Sequence, residues 1–284
     1  MRTKRSVTQP QEKRSSDGRR SGLDMLALER DLWAEGFQRI AGVDEAGRGP
    51  LAGPVCAAAV ILPPACRIPG VNDSKQLSER QRERLYPVIL REALAVAVGL
   101  ASAEEIDSLN ILQATKLAAA RALSALQIPP DYVLLDALTL PQLSFPQKAI
   151  VRGDCVSQSI AAASIIAKVT RDRLMRLYAL EFPEYSFESH KGYPTRLHYE
   201  RIRQYGLCSI HRRSFIDLGL FDRGCRRSQT CLQSAQQIQS ASSEQTLAQL
   251  EDTLRLHKGL LPPAEIRELE ELIERRKNAL RQVR

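Results

Sequence analysis

No apolar stretch in the 284 residues reaches the roughly 20 consecutive positions that a membrane-spanning helix takes, and no internal repeat is visible. The first absence excludes a helical membrane protein, the second a solenoid. The cysteines, Cys56, Cys66, Cys155, Cys208, Cys225 and Cys231, include no C-x-x-C pair. Neither a zinc site nor a disulfide framework is encoded, and the thiols read as reduced groups in a cytosolic protein. The basic start has no apolar h-region and no cleavage site, so the expected location is the cytoplasm. The phosphate-cradling patterns G-x-x-x-x-G-K-[ST] and G-x-G-x-x-G are both missing.

What is present is a basic balance in an otherwise ordinary globular composition. Lys and Arg number 41 against 33 Asp and Glu, for a formal net charge of +8. The excess favours an anionic partner, of which nucleic acid is the commonest. Part of it lies in Arg2, Lys4, Arg5, Lys13, Arg14, Arg19 and Arg20, within a polar tail (1–24) that reads as disordered.

A compact region follows, assigned to 25–224. Arg39–Asp44 and Val55–Leu62 read as strands, with the glycine- and proline-rich turn AGRGPLAGP between them. Ser78 and Gln81 form a capping box that opens a helix to about Ala93, which Pro87 is expected to kink or interrupt. Ala95–Ser102 reads as a third strand. Ser102 and Glu105 form a second box, leading into a helical region to about Leu126. Tyr132–Asp136 and Lys148–Arg152 read as short strands, Val156–Leu180 as a long helix and Thr195–Gln204 as a shorter one. Strands separated by helices in this order predict a layered α/β fold with a mixed sheet. Residues 225–244 (Ser228–Ser243 reads SQTCLQSAQQIQSASS) have the composition of a Gln/Ser-rich linker. Residues 245–284 predict a helical hairpin, with Leu247, Leu250 and Leu254 on one apolar face and Ile266, Leu269 and Ile273 on the other. This extension is assigned to self-association, to docking, or to covering a surface of a monomeric core.

Four acids stand where the pattern leaves few. Asp44 and Glu45 end the first strand, Asp136 ends YVLLD, and Asp154 lies between the last strand and the long helix. Strand ends are where ligand sites assemble in layered α/β folds. If the first and fourth strands are neighbours, Asp44 and Asp136 project from one edge, with Asp154 able to point into the same hollow. Such a cluster repels itself unless cations neutralise it, and oxygen ligands without Cys or clustered His suit Mg²⁺ or Mn²⁺. Each acid also has a plain reading: the Asp-Glu pair as a turn, Asp154 as a helix cap.

The literal strings carry more. Asp44–Pro54 reads DEAGRGPLAGP, Asp73–Leu77 DSKQL, Gly153–Asp172 GDCVSQSIAAASIIAKVTRD, His190–Thr195 HKGYPT and His211–Phe215 HRRSF. In content and order these resemble the bacterial ribonuclease HII family, over about Gly36 to Phe215. The resemblance implies a ribonuclease H-like α/β fold. It also implies endonucleolytic cleavage of the RNA strand of RNA–DNA hybrids and incision at ribonucleotides embedded in duplex DNA, leaving 3′-hydroxyl and 5′-phosphate ends. It implies that Asp44, Glu45, Asp136 and Asp154 bind catalytic Mn²⁺ or Mg²⁺, that the backbone of Gly47, Arg48 and Gly49 reads a 2′-hydroxyl, and that Tyr193 packs on the sugar. Glycines flanking Arg48 free the backbone to approach a sugar, and the 2′-hydroxyl is the group that separates RNA from DNA. Ala137, after Asp136, departs from the glycine often found there. Arg48 and Asp154, and the short region before the core, favour this family over its sister, ribonuclease HIII.

Lys75, Lys168, Arg171, Lys191 and Arg196 are candidate phosphate contacts, each equally readable as a solvated charge; Lys168 is also placed to pair with Asp172. His190, His198 and His211 read as structural, since two-metal hydrolysis needs no dedicated histidine. Two other readings remain: a non-catalytic nucleic-acid-binding module, and a nuclease of the same fold acting on another substrate such as DNA junctions.

Overall fold

A computed structural model describes residues 24–217, 229–256 and 263–282. The basic start, the boundary near Gly224, and the Gly259 and Pro262 breaks of the expected hairpin lie outside them. The chain begins with helix α1 (Ala27–Ala34) and then builds a five-stranded sheet from β1 (Ile40–Ala46), β2 (Val55–Ile61), β3 (Ala95–Ala101), β4 (Tyr132–Asp136) and β5 (Gln147–Ile150), ordered β3-β2-β1-β4-β5. The pairs β1–β2 and β2–β3 are antiparallel, and β1–β4 and β4–β5 are parallel. The sheet is therefore mixed, as the order of elements predicts. Every residue of β2 is buried, which fits its run of small and β-branched side chains covered on both faces.

Helix α2 (Glu79–Glu92) and the long α5 (Gln158–Glu181) pack with one face; α4 (Ile111–Ser124) covers the other. Both faces are approached closely because glycine stands at the contact. A Cβ at Gly42 of β1 would lie 2.1 Å from the backbone carbon of Ser159 in α5, and one at Gly99 of β3 would lie 2.1 Å from the Ala118 carbonyl in α4. Ser157 caps α5, and the buried Glu29 of α1 braces it by accepting from the Ser157 hydroxyl at 2.6 Å and the Ser159 amide at 3.0 Å.

Three local expectations change. Helix α2 runs through Pro87 uninterrupted, between its Ser78–Gln81 capping box and a face that buries Ile89. The helical region after Ser102 is two helices, α3 (Ala103–Leu109) and α4, broken at Asn110. Asn110 takes φ +70, and its side chain accepts from the amides of Leu112 and Gln113. A short polar side chain that tolerates the left-handed region can thus end one helix and cap the next. The Gln/Ser-rich stretch is not an irregular linker, because Gln229–Ser240 is helical. Glutamine is a good helix former, and Ile238 joins a buried cluster with Leu247 and Leu254 of Glu244–Leu256 and with Ile266, Leu269 and Ile273 of Pro263–Gln282. No helix among the described residues is long and apolar enough to cross a membrane.

Candidate active site

The register of β1 on β4 sets Val43 opposite Leu135, so the next residues, Asp44 and Asp136, lie side by side where the parallel pairing stops; Asp136 ends β4, while β1 runs on to Ala46, past the end expected at Asp44 and Glu45. Asp154 sits in the short 3-10 turn Gly153–Cys155, which folds back under Asp136: the Gly153 amide donates to the Asp136 carboxylate at 2.7 Å. A side chain at Gly153 would collide with Ile160, its Cβ lying 2.6 Å from Cδ1. Asp44, Asp136 and Asp154 each offer an oxygen within 4.8 Å of the others. Glu45 stands beside this set and bonds Arg48 Nη1 through Oε1 at 3.2 Å.

The electrostatics follow from burial. Asp44 is 4% exposed, and desolvation, then Glu45 and Asp136, push its carboxyl well above the usual range. The Ser164 hydroxyl of α5 donates to Asp44 and opposes that rise, itself bonded at 2.7 Å to the Ser74 hydroxyl. Burial also raises Glu45 against the pull of Arg48. Asp154 is raised by burial, with Asp136 and Asp73 adding to it and Lys75 opposing. Lys75 Nζ approaches Asp154 at 3.4 Å, yet the lysine is 78% exposed and cannot neutralise three inward-facing carboxylates. Burial works against the charge on Lys75, but Asp154, Asp44 and Asp73 outweigh it and hold its pKa above the ordinary value. Crowded, desolvated, oxygen-only donors lacking an adequate cation fit a hard divalent ion.

The loop after β1 is held from behind. Arg171 and Arg212 are both fully buried. Arg171 donates to the carbonyls of Pro54, Lys191 and Ala52, each at 3.0 Å. Arg212 donates to Gly53, Arg48 and Gly47 at 2.9, 3.0 and 2.6 Å. Arg171 is therefore no phosphate contact: its guanidinium is spent on backbone carbonyls inside the protein. Gly47 (φ +93) has no room for a side chain, since a Cβ would lie 2.0 Å from Arg171 Nε. At Gly49 a Cβ would meet nothing within 4 Å.

Tyr193 is 37% exposed, with Lys168 Nζ 5.6 Å and the Arg171 guanidinium 5.8 Å from its ring centre. Its segment is tied to the glycine loop through the Leu51 amide, which donates to the Gly192 carbonyl at 2.8 Å, and through Arg171. Behind Tyr193 two of the three histidines, His211 and His198, form a neutral relay, while His190 Nε2 bonds the Tyr185 carbonyl at 2.8 Å. The Cys208 amide donates to His211 Nδ1 at 3.0 Å, leaving Nε2–H of His211 to face His198 Nε2 at 3.1 Å and Nδ1–H of His198 to donate to the Tyr193 carbonyl at 3.0 Å. Lys168 pairs with Asp172 at 2.7 Å, Lys191 with the Glu188 carbonyl, and Arg196, on the surface, with Glu200 at 2.7 Å. Sequence reasoning missed Ser164, Asp73 and Arg212. All three lie inside the quoted strings, Ser164 in GDCVSQSIAAASIIAKVTRD, Asp73 in DSKQL and Arg212 in HRRSF, but nothing local marks which arginine of the last turns inward.

The family profile described as Ribonuclease HII matches residues 41–218, more than half of the chain. The chain is 55% identical over 190 residues to a Ribonuclease HII of Syntrophotalea carbinolica, covering 67% of this chain and 91% of that one. It is 56% identical over 203 residues to a Ribonuclease HII of Moorella thermoacetica, covering 71% and 98%. Its fold is similar to the crystal structure of the ribonuclease H2 from Pyrococcus horikoshii, with a TM-score of 0.57, 28% identity, and coverage of 67% of this chain and all of the other (100%).

Proposed function

The chain belongs to the ribonuclease HII family of divalent-metal-dependent endoribonucleases, which hydrolyse the RNA strand of RNA–DNA hybrids, and on that footing we propose that it also incises duplex DNA at embedded ribonucleotides by a two-metal reaction. The observation that carries the reading is the cluster of Asp44, Asp136 and Asp154 within 4.8 Å, where the pairing of β1 with β4 stops, with Asp44 and Asp154 buried, Asp136 half-buried and the set undercompensated by Lys75. These acids, with Glu45 at the edge, would hold two Mn²⁺ or Mg²⁺ ions, which when bound would supply Lewis-acid stabilisation of the scissile phosphate and activation of a water.

The remaining work belongs to the chain. The Gly153 amide fixes Asp136, and Ser164 aims Asp44. The exposed backbone at Arg48 and Gly49 approaches the ribose, and Tyr193 supports the sugar at the RNA–DNA junction. Lys75, at the rim, adds salt-dependent affinity for the phosphate backbone. Cleavage leaves a 3′-hydroxyl and a 5′-phosphate. A purely binding role leaves three inward-facing acids without a purpose.

The test is a DNA duplex containing one ribonucleotide, incubated with Mg²⁺ or Mn²⁺ beside an all-DNA duplex. Incision confined to the first is expected. No incision with either metal, or equal cutting of both duplexes, defeats the reading.

A further inference from the structure

We propose that Arg212 is a positioning residue for ribose discrimination: by drawing loop carbonyls inward it turns the amides of Arg48 and Gly49 outward as preset donors. The inference rests on the functional reading above and concerns a residue that lies outside the acids and outside the loop.

In a trans peptide the carbonyl of one residue and the amide of the next point in opposite directions. Arg212 Nη2 and Nη1 take the carbonyls of Gly47 and Arg48 at 2.6 and 3.0 Å, so the amides of Arg48 and Gly49 face the other way. Neither amide has an acceptor among the described residues, and both residues are exposed. The same rule holds four peptides on, where Arg171 takes the Ala52 carbonyl and the Gly53 amide on the opposite side donates to the Ile210 carbonyl at 2.8 Å. Pro50 and Pro54 carry no amide. Arg48 and Gly49 are the exposed residues of this turn, and Gly47 and Leu51 to Gly53 are buried, so the outward donors lie on two adjacent peptides.

The clamp is rigid and charged. Arg212 is fully buried, its own amide donates to the Leu51 carbonyl at 2.8 Å, and its guanidinium lies 5.2 Å from the Phe215 ring centre. Burial and the nearby Arg171 cation lower its pKa to about 9, which leaves it charged at neutral pH. A carbonyl that accepts from a cation polarises its own peptide and makes the attached N–H a stronger donor. The segment carrying Arg212 is anchored in turn, because Asp107 accepts from the Arg213 and Ser214 amides at 2.8 and 2.9 Å. Amides turned outward before substrate arrives add no ordering penalty to binding. They read a hydroxyl, not a base.

The experiment compares wild type, Arg212→Lys and Arg212→Met for affinity, by fluorescence anisotropy in Ca²⁺, toward a duplex with one ribonucleotide and the all-DNA duplex. Folding is followed by circular dichroism. The ribose preference should fall about tenfold or more in both folded variants, with all-DNA affinity within about twofold of wild type, since phosphate contacts are untouched. A merely structural role lowers the melting temperature and leaves the preference intact; that result overturns the inference alone. A wild type without ribose preference overturns the functional reading, and the inference with it. Should the variants not fold, amide hydrogen exchange in the unaltered protein decides. Arg48 and Gly49 must exchange about 100-fold or more faster than Leu51 and Gly53, whose amides are bonded, and equal protection refutes the proposed orientation.

Discussion

Replacing Gly47 and Gly49 by alanine, one at a time, separates a glycine needed by the fold from one needed by an incoming molecule. At Gly47 the new Cβ falls 2.0 Å from Arg171 Nε on a backbone at φ +93. The left-handed conformation costs an alanine roughly 1–2 kcal/mol and overpacking a filled site roughly 1–3 more, so Gly47→Ala should lose roughly 2–5 kcal/mol. At about 2–4 °C per kcal/mol for a domain of this size, the melting temperature should drop by roughly 5–15 °C. At Gly49 the Cβ meets nothing within 4 Å and the backbone is not left-handed. Gly49→Ala should therefore melt within about 0.5 kcal/mol of wild type. Its methyl group instead occupies the side from which the ribose approaches, and binding of a duplex with one ribonucleotide should weaken about tenfold, or about 1.4 kcal/mol. Thermal melting by circular dichroism and anisotropy titration on the same preparations give both numbers. Two variants that melt together, or a Gly49→Ala protein that binds like wild type, would refute the division.

Asp44→Asn should abolish cleavage and also abolish the stabilisation that Mn²⁺ gives wild type, about 2.7 kcal/mol at a hundred times its Kd, read as a melting shift with and without chelator; a shift retained by the variant counts against a metal site at Asp44. Burial depresses His198 from the ordinary 6.5 to about 4 and His211 to about 3. The unfolded chain takes up protons that the folded chain refuses, so stability is whole above about pH 6.5 and is lost as pH falls, by up to about 1.4 kcal/mol per pH unit for each ring. Urea unfolding at several pH values should show a shallower slope in His198→Asn, and an unchanged slope contradicts the neutral relay. Ala137 sits at φ +47, so Ala137→Gly should add up to about 1 kcal/mol, measured by thermal melting, where a loss would deny that the backbone is strained there. A chain ending at Gly224 should cleave the one-ribonucleotide duplex as the full chain does; reduced turnover, or an oligomeric state by sedimentation equilibrium that differs from the full chain's, would give the C-terminal helices a direct part.

The acids were legible in the sequence because each ends a segment whose apolar pattern gives it away. Asp136 follows a buried run, and Asp154 precedes a long helix. Their proximity was not legible, because it depends on β1 pairing in parallel with β4, and that pairing joins residues about ninety positions apart, such as Val43 and Leu135. The inward turn of Arg171 and Arg212 was hidden for the same reason. All but one of their acceptors (the Lys191 carbonyl is the exception) are carbonyls more than a hundred residues earlier, and a basic residue in a helix or a turn carries no local mark of burial. At Asn110 a continuous apolar spacing concealed the break, since nothing in a lone asparagine announces a left-handed backbone. In the Gln/Ser-rich stretch composition outweighed a spacing, Ala235 to Ile238, that tertiary packing turned to use.

Gly42 gives the carboxylate cage its gauge. Strand β1 and helix α5 touch backbone to backbone at that residue, two positions before Asp44, and at Ser159 in the first turn of α5, five positions after Asp154. The span between those two acids is thus set by the thickness of two main chains, with no side chain in between to act as a compressible shim. A single methyl group at position 42 would wedge the layers apart and widen the cage without altering any ligand. A wider cage favours a larger ion than Mg²⁺, since that ion requires short, near-octahedral oxygen contacts and Ca²⁺ accepts longer ones. At the proposed metal site, the preference between ions would in this sense depend on the missing side chain of a residue that never meets them.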